Sequence, residues 1–173
     1  MSNTNTTHTL SRATLWKLIK DIKFGMFGTY HTDGHFHARP MTTQSHLIDE
    51  HDVLWFFMSR KGDTVTDVMA NPQVNVTYAD PGKDTYVSVS GNATVVEDIA
   101  KKNELWNVFA KAWFPGGAKD EDLALVQVKI MHCQYWDVHE SKLVQLYQIA
   151  KAAITGEPPS KMGETGEIQT YNN

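Results

Sequence analysis

The chain has one cysteine, Cys133, in 173 residues, so no disulfide can form within it and a packed core must hold the fold. Long apolar runs are missing as well. No stretch approaches the ~20 consecutive apolar residues of a membrane-spanning helix, and the opening MSNTNTTHTLSRATLWKL is polar where a signal peptide is apolar. These absences point to a cytoplasmic protein with no membrane role. A basic excess is also lacking: 16 Lys and Arg stand against 20 Asp and Glu, a formal charge of −4. That balance argues against nucleic acid as the main partner, because phosphate-backbone binding shows as a basic domain or stripe. The glycines of TGEPPSKMGETGE do not form a G-x-G-x-x-G turn after a strand, so there is no dinucleotide fingerprint. Neither an internal repeat nor a domain linker is visible.

What is present suits one globular domain. Hydrophobic residues make up 41% and charged residues 21% of the chain, and a chain of this length buries roughly 70% of its unfolded surface. Residues 1–10 are rich in Thr and Asn and are expected to fray. From Ser11 to Lys23, Leu15, Trp16, Leu18, Ile19 and Ile22 recur at spacings of three and four, which predicts a helix. Two alternating runs then flank Asp33-Gly34, a dipeptide suited to a two-residue hairpin turn. With Thr32 and His35 beside that turn, Arg39 pairs with Gly28, Met41 pairs with Met26, and open space is left above the glycine. Pro40, which cannot donate to a ladder, belongs on an edge strand or at a bulge.

Further along, VLWFFMS is a strand buried on both faces, followed by a short helix capped by Asp63, with Val65, Val68 and Met69 inward, and ended by Asn71-Pro72. QVNVTYA and TYVSVSGNATVVE alternate as strands around DPGKD, with a bulge at Gly91. One long helix is predicted over 98–114, a long strand over LALVQVKIMHCQYWDVH, and a last helix over 143–154. The stretch 155–173 has no periodicity and is expected to be a C-terminal tail, so the domain spans 11–154. Six or so strands with helices between pairs predict a mainly β (α+β) fold, an antiparallel β-barrel with peripheral helices.

Chemistry concentrates where Arg39, Pro40, Met41 and Thr42 meet FFMSRKGDT. A guanidinium, hydroxyls at Ser59 and Thr64, amides at a helix start, and Arg60 and Lys61 together match a phosphate. A solvated loop after a strand fits the same residues. His35 and His37 share a strand face, but no convincing third ligand lies nearby in sequence, so no metal is expected. Cys133 and His132 point to opposite faces and cannot pair as nucleophile and base, which makes Cys133 a core thiol.

The succession DGxxxARPM, LWFF, MSRKGDTV, NPQVNVTY, YVSVSGNATVV, AWFPGG and QYWD, in order over about residues 11–145, resembles the pyridoxamine 5'-phosphate oxidase-like family of FMN-binding split barrels, and within it the bacterial general stress proteins. The resemblance implies a split barrel that forms a homodimer with FMN, or FAD, in clefts at the subunit interface. It implies that Arg39 holds the phosphate and that Pro40, Met41 and Thr42 line the flavin. Phe57, Met58 and Ser59 would flank the ring, and Lys61 or Thr64 would complete the phosphate site. Tyr86 falls where the oxidases have a ring-contacting glutamine, Trp136 matches a tryptophan that reaches the partner's flavin, and Trp113 would form cleft wall. The implied activity is flavin-dependent oxidoreduction with a reductant such as a nicotinamide nucleotide, or flavin binding without turnover. A cofactor-free dimeric interaction module is the remaining alternative. Two departures stand out. Asp63-Thr64 replaces a basic residue before the short helix, and DVHESK replaces the arginine- and histidine-containing segment that grips the substrate phosphate in the oxidases, so pyridoxamine phosphate oxidation itself is not expected.

Overall fold

A computed structural model of the chain describes residues 12–137, 149, 151–153, 155–156 and 164–169. Helix α1 (Arg12–Ile19) leads into the hairpin β1 (Gly25–Tyr30) and β2 (Phe36–Met41). Then come β3 (Val53–Ser59), α2 (Asp63–Ala70), β4 (Gln73–Asp80) and β5 (Thr85–Val96). Helices α3 (Ile99–Leu105) and α4 (Val108–Trp113) and a 3₁₀ turn (Gly117–Lys119) precede β6 (Leu123–Asp137) and β7 (Glu164–Gln169). The strands are antiparallel in the order β2-β1-β4-β5-β6-β3, with β7 added beside β6. The sheet curls until the chain just past β2 meets β3, through the Thr43–Phe56 bridge and a 2.8 Å bond from the Gln44 amide to the Trp55 carbonyl. The result is the antiparallel split barrel that the strand pattern predicts.

Alternation explains the two cores. Phe27, Leu54, Phe56, Met58, Val76, Tyr78, Val87 and Val89 point into the barrel, and Leu15 and Ile19 of α1 pack on the same cluster. Phe27 and Phe56 meet edge to face at 5.1 Å between centroids, a favoured aromatic geometry. On the other face of β3 and β6, Phe57, Leu123 and Leu125 pack against Leu105, Ala110 and Phe114 from the α3–α4 region. This is why VLWFFMS is apolar on both faces. Cys133 is fully buried, and burial pushes its thiol pKa up to about 12, so it is an inert core residue.

Several local expectations are corrected. The β1–β2 connection is a three-residue loop, not two: the His31 amide donates to the His35 carbonyl at 2.9 Å and Gly34 takes a φ of +86°. The register therefore slips by one, pairing Arg39 with Phe27 and Pro40 with Met26. A slip of one exchanges faces, so Arg39 shares the inner face with Thr29 and Phe27, and the open space expected above Gly28 does not adjoin it. In α2, Gly62 occupies the N-cap position with Asp63 in the first turn, and Met69 is exposed while Asp67 is buried. The single helix over 98–114 is two, because the Asn107 side chain accepts from the Phe109 and Ala110 amides at 3.0 Å each and starts α4 afresh.

In the stretch expected to be a tail, residues 164–169 form β7 by backbone pairing with β6. The frayed segment 1–10 and most of the helix expected over 143–154 lie outside the described residues, although 149 and 151–153 are helical.

Two expectations of the strand chemistry hold. Pro40 lies in β2, at the end of the strand order. The β5–β6 register shifts between Ser90 and Gly91. A Cβ at Gly91 would stand 2.3 Å from the Lys129 carbonyl oxygen, against backbone that cannot step aside. Gly91→Ala should therefore lower stability by about 2 kcal/mol, read as a lower urea midpoint at unchanged slope; an unaltered midpoint would show that the bulge relaxes freely.

Candidate functional site

A groove of about 380 Å³ runs between the end of β2, β3 and α4. Pro40, Met41 and Thr42 form one side, Phe57, Met58 and Ser59 the floor, and Trp113 the opposite rim. These seven of the twelve candidate residues are brought together by the barrel closure that sets the β2 end beside β3. Phe24, Gln44, Phe109, Ala110, Phe114 and Asp122 complete the lining. The walls are mostly aromatic and apolar, with Trp113 and Phe109 more than two thirds exposed at the mouth. Gln44 is held by a 2.6 Å bond from Asn107 Nδ2, which ties the β2–β3 connection to the start of α4. Such a groove accepts a flat aromatic ring better than a hydrated polar solute.

The turn after β3 has a built-in anion. Asp122 accepts from Ser59 Oγ at 2.8 and 2.9 Å and from the Lys61 amide at 3.2 Å. The Ser59 hydroxyl, with the Lys61 amide and charge adding to it, holds this carboxyl below the ordinary carboxylate range. Arg60 is engaged by Glu97, while the Lys61 side chain is exposed. The Ser59 hydroxyl, the Lys61 amide and the Arg60 guanidinium therefore face the chain's own carboxylates. Ser59 and Asp122 are 63 residues apart, and nothing in the local sequence signals the pairing.

Arg39 lies at a second locus, on the inner face beside α2, and is not among the groove's lining residues. Its Nη1 donates to Thr29 Oγ1 at 2.9 Å, and its Nη2 stands 3.8 Å from Asp67 Oδ2. Asp67 is fully buried and also accepts from Thr29 Oγ1 at 2.7 Å, while its Oδ1 lies 2.6 Å from His31 Nδ1. This hydrogen bond raises the His31 pKa above its usual value. Asp67 was not anticipated from sequence; the available signal is its place between Val65 and Val68 on the inward arc of a two-turn helix. Thr64 is buried on the same helix.

Tyr86 and Trp136 are directly opposed across β5 and β6, both about 40% exposed. They sit apart from the groove, on the outward face that also carries the exposed Met26, Tyr30 and Phe36. Trp113 is the one tryptophan in the groove wall.

A barrel of six antiparallel strands with this order is a split barrel, and comparison places it more narrowly. Residues 11–160 match the family described as pyridoxamine 5'-phosphate oxidase like, and the chain belongs to that family. Among solved structures, a general stress FMN/FAD binding protein from Xanthomonas citri is 31% identical, with a TM-score of 0.64 over 75% of this chain and 90% of that one. A protein assigned as general stress protein 26 from Jannaschia sp. CCS1 is 28% identical, with a TM-score of 0.68 over 90% of this chain and 95% of the other. The protein bli-3 of Neurospora crassa is 25% identical over 131 residues, 70% of this chain and 62% of that relative, so this chain spans less than two thirds of it.

Proposed function

We propose that the chain is a flavin-binding protein of the general stress type, holding FMN in the β2–β3–α4 groove and working as a homodimer. The observation that carries this reading is the convergence of Pro40–Thr42, Phe57–Ser59 and Trp113 on one aromatic-walled groove. The relative named as an FMN/FAD binding protein, at 31% identity, supports it. Met41, Phe57 and Trp113 supply apolar surface for the ring, and Thr42 and Ser59 supply polar groups at its edge. Arg39, Lys61 and Thr64 supply the phosphate end, which fits less closely than the ring because Asp67 already faces the Arg39 guanidinium and Asp122 the Lys61 amide. The outward face bearing Met26, Tyr30, Phe36, Tyr86 and Trp136 is apolar surface that a second copy would cover, placing Tyr86 and Trp136 near the partner's groove.

Bound flavin would supply one- or two-electron chemistry, with a nicotinamide nucleotide as a suitable reductant. The chain's own contribution is to bind, orient and shield. Among the described residues, Asp122 is the single ionisable one lining the groove, and its hydrogen bonds keep it ionised. None of the described lining side chains is therefore poised to exchange a proton near neutral pH. This favours electron transfer with solvent as proton source, or flavin storage without turnover, over acid–base chemistry on a bound substrate.

The test is an absorbance spectrum of the purified protein, mass spectrometry of the released small molecule, and titration with FMN, FAD and riboflavin. A yellow protein that retains or takes up FMN with Kd near 1 μM, about −8 kcal/mol, is the expected result. Turnover with reduced nicotinamide nucleotides separates the enzyme from the storage protein. A colourless preparation that leaves FMN fluorescence unquenched would overturn the proposal and favour a cofactor-free interaction module.

A further inference from the structure

We propose that the tip of the β1–β2 hairpin is a binding site for a divalent transition-metal ion, held by His31, Asp33 and His37. One ligand atom from each of the three lies within 4.8 Å of the others. The three-residue loop creates this cluster. It sets positions 31 and 37 diagonally on one face, where the two imidazole rings stack at 4.5 Å between centroids and 22° between planes. His35, which alternation alone pairs with His37, stays outside the cluster. Asp33 enters from the turn itself. Its Oδ1 accepts from the His35 amide at 2.9 Å, which fixes the carboxylate, and its Oδ2 lies 2.8 Å from His37 Nε2.

The surroundings are those of a supported ligand set. Asp67 Oδ1, 2.6 Å from His31 Nδ1, orients that ring and leaves Nε2 as the ligating nitrogen. A buried carboxylate behind a ligating histidine is the usual outer-shell arrangement, and it raises ligand basicity. Asp33, Asp63 and Asp67 all act electrostatically on the His31 ring, with Arg39 as the cation beside Asp67, so the locus favours a dication. Two imidazoles and one carboxylate suit Zn²⁺, Co²⁺, Ni²⁺ or Fe²⁺; all-oxygen cages suit Ca²⁺ and Mg²⁺, and thiolates suit Cu⁺. At bond lengths of ~2.1 Å, ligand atoms on a tetrahedral ion stand roughly 3.4 Å apart. The widest separation must therefore close by up to about 1.4 Å while the 2.8 Å Asp33–His37 contact opens by about 0.6 Å, movements that side-chain rotation at an exposed loop can supply. The solvent side leaves a coordination position for water or an exogenous ligand.

The test uses the full chain without a histidine tag, stripped with chelator and titrated with Zn²⁺ by calorimetry and with Co²⁺ by visible absorbance. One ion per chain is expected, with Kd at or below roughly 10 μM and a Co²⁺ band of a low-coordinate nitrogen and oxygen site. His37→Gln and Asp33→Asn should each weaken Zn²⁺ at least about tenfold, while His35→Gln leaves it unchanged. Both tested side chains are partly exposed, so circular dichroism should show native folds, and either variant alone carries the test. Absence of saturable binding, or equal affinity in wild type, His37→Gln and Asp33→Asn, overturns the proposal.

Discussion

Asp67→Ala is expected to destabilise the protein by about 3 kcal/mol, toward the lower end of the ~3–5 kcal/mol seen when one partner of a buried pair is removed. Asp67 is fully buried and serves three groups at once: the Thr29 hydroxyl, the His31 ring and the Arg39 guanidinium. Alanine leaves the Thr29 hydroxyl, itself 1% exposed, without its acceptor. It also leaves a guanidinium with no counter-charge in the barrel wall. The lower end applies because Arg39 and His31 each keep about a fifth of their side-chain surface in solvent, so water recovers part of the loss. Asp67→Asn keeps the shape but offers one acceptor oxygen where two are used, and should cost less than Asp67→Ala. In a domain of this size a loss of 3 kcal/mol lowers Tm by roughly 6–12 °C. Urea melts with unchanged slopes give the energies directly; a loss under 1 kcal/mol for Asp67→Ala would show the network to be incidental to the fold.

Asp67 also marks where sequence reasoning stops. The strands, the edge position of Pro40 and the bulge at Gly91 were legible because each depends on a local rule: alternation, a missing donor, a Cβ with no room. The groove was legible to the same extent, since Pro40–Thr42 and Phe57–Ser59 are consecutive residues at strand ends that barrel closure must bring together. Register was not. Asp33-Gly34 suits a two-residue or a three-residue loop equally well, and only the pairing energy of the whole ribbon decides between them, yet that choice sets which residue Arg39 faces. The hydroxyl–carboxylate hydrogen bonds were hidden for a different reason. Ser59 meets Asp122 and Thr29 meets Asp67 across 63 and 38 residues, and hydrophobic periodicity carries no information about which distant carboxylate a hydroxyl will find. The break at Asn107 could have been read from its capping chemistry, but the apolar spacing from Ile99 to Trp113 spans it and masks the restart. β7 arises from backbone pairing along β6, and Glu-Thr-Gly-Glu-Ile-Gln has no alternation to announce it.

Arg39→Ala is expected to weaken FMN by about 1.5–3 kcal/mol, roughly 10- to 150-fold, and riboflavin by less than about threefold. The difference between the ligands is the phosphate, so their ratio isolates the charge contact from any general damage to the groove. The geometry permits the role without requiring it. A guanidinium has five N–H donors; one goes to Thr29, and the 3.8 Å separation from Asp67 is an ion pair beyond hydrogen-bond length, so donors remain. Asp67 offsets part of the charge, which places the expected effect below that of an unpartnered arginine on a phosphate. Arg39→Lys distinguishes fork from charge, because an ammonium keeps the charge but loses the planar pair of donors. An intermediate FMN affinity for lysine fits bidentate contact, and one equal to wild type fits charge alone. Stability must be measured beside affinity, since Arg39→Ala leaves Asp67 with Thr29 and His31 and should cost less than removing the carboxylate. If FMN and riboflavin weaken equally, Arg39 serves the barrel wall only. The phosphate would then have to be sought away from the Ser59–Lys61 turn as well, where the Asp122 carboxylate already takes the donors an anion needs.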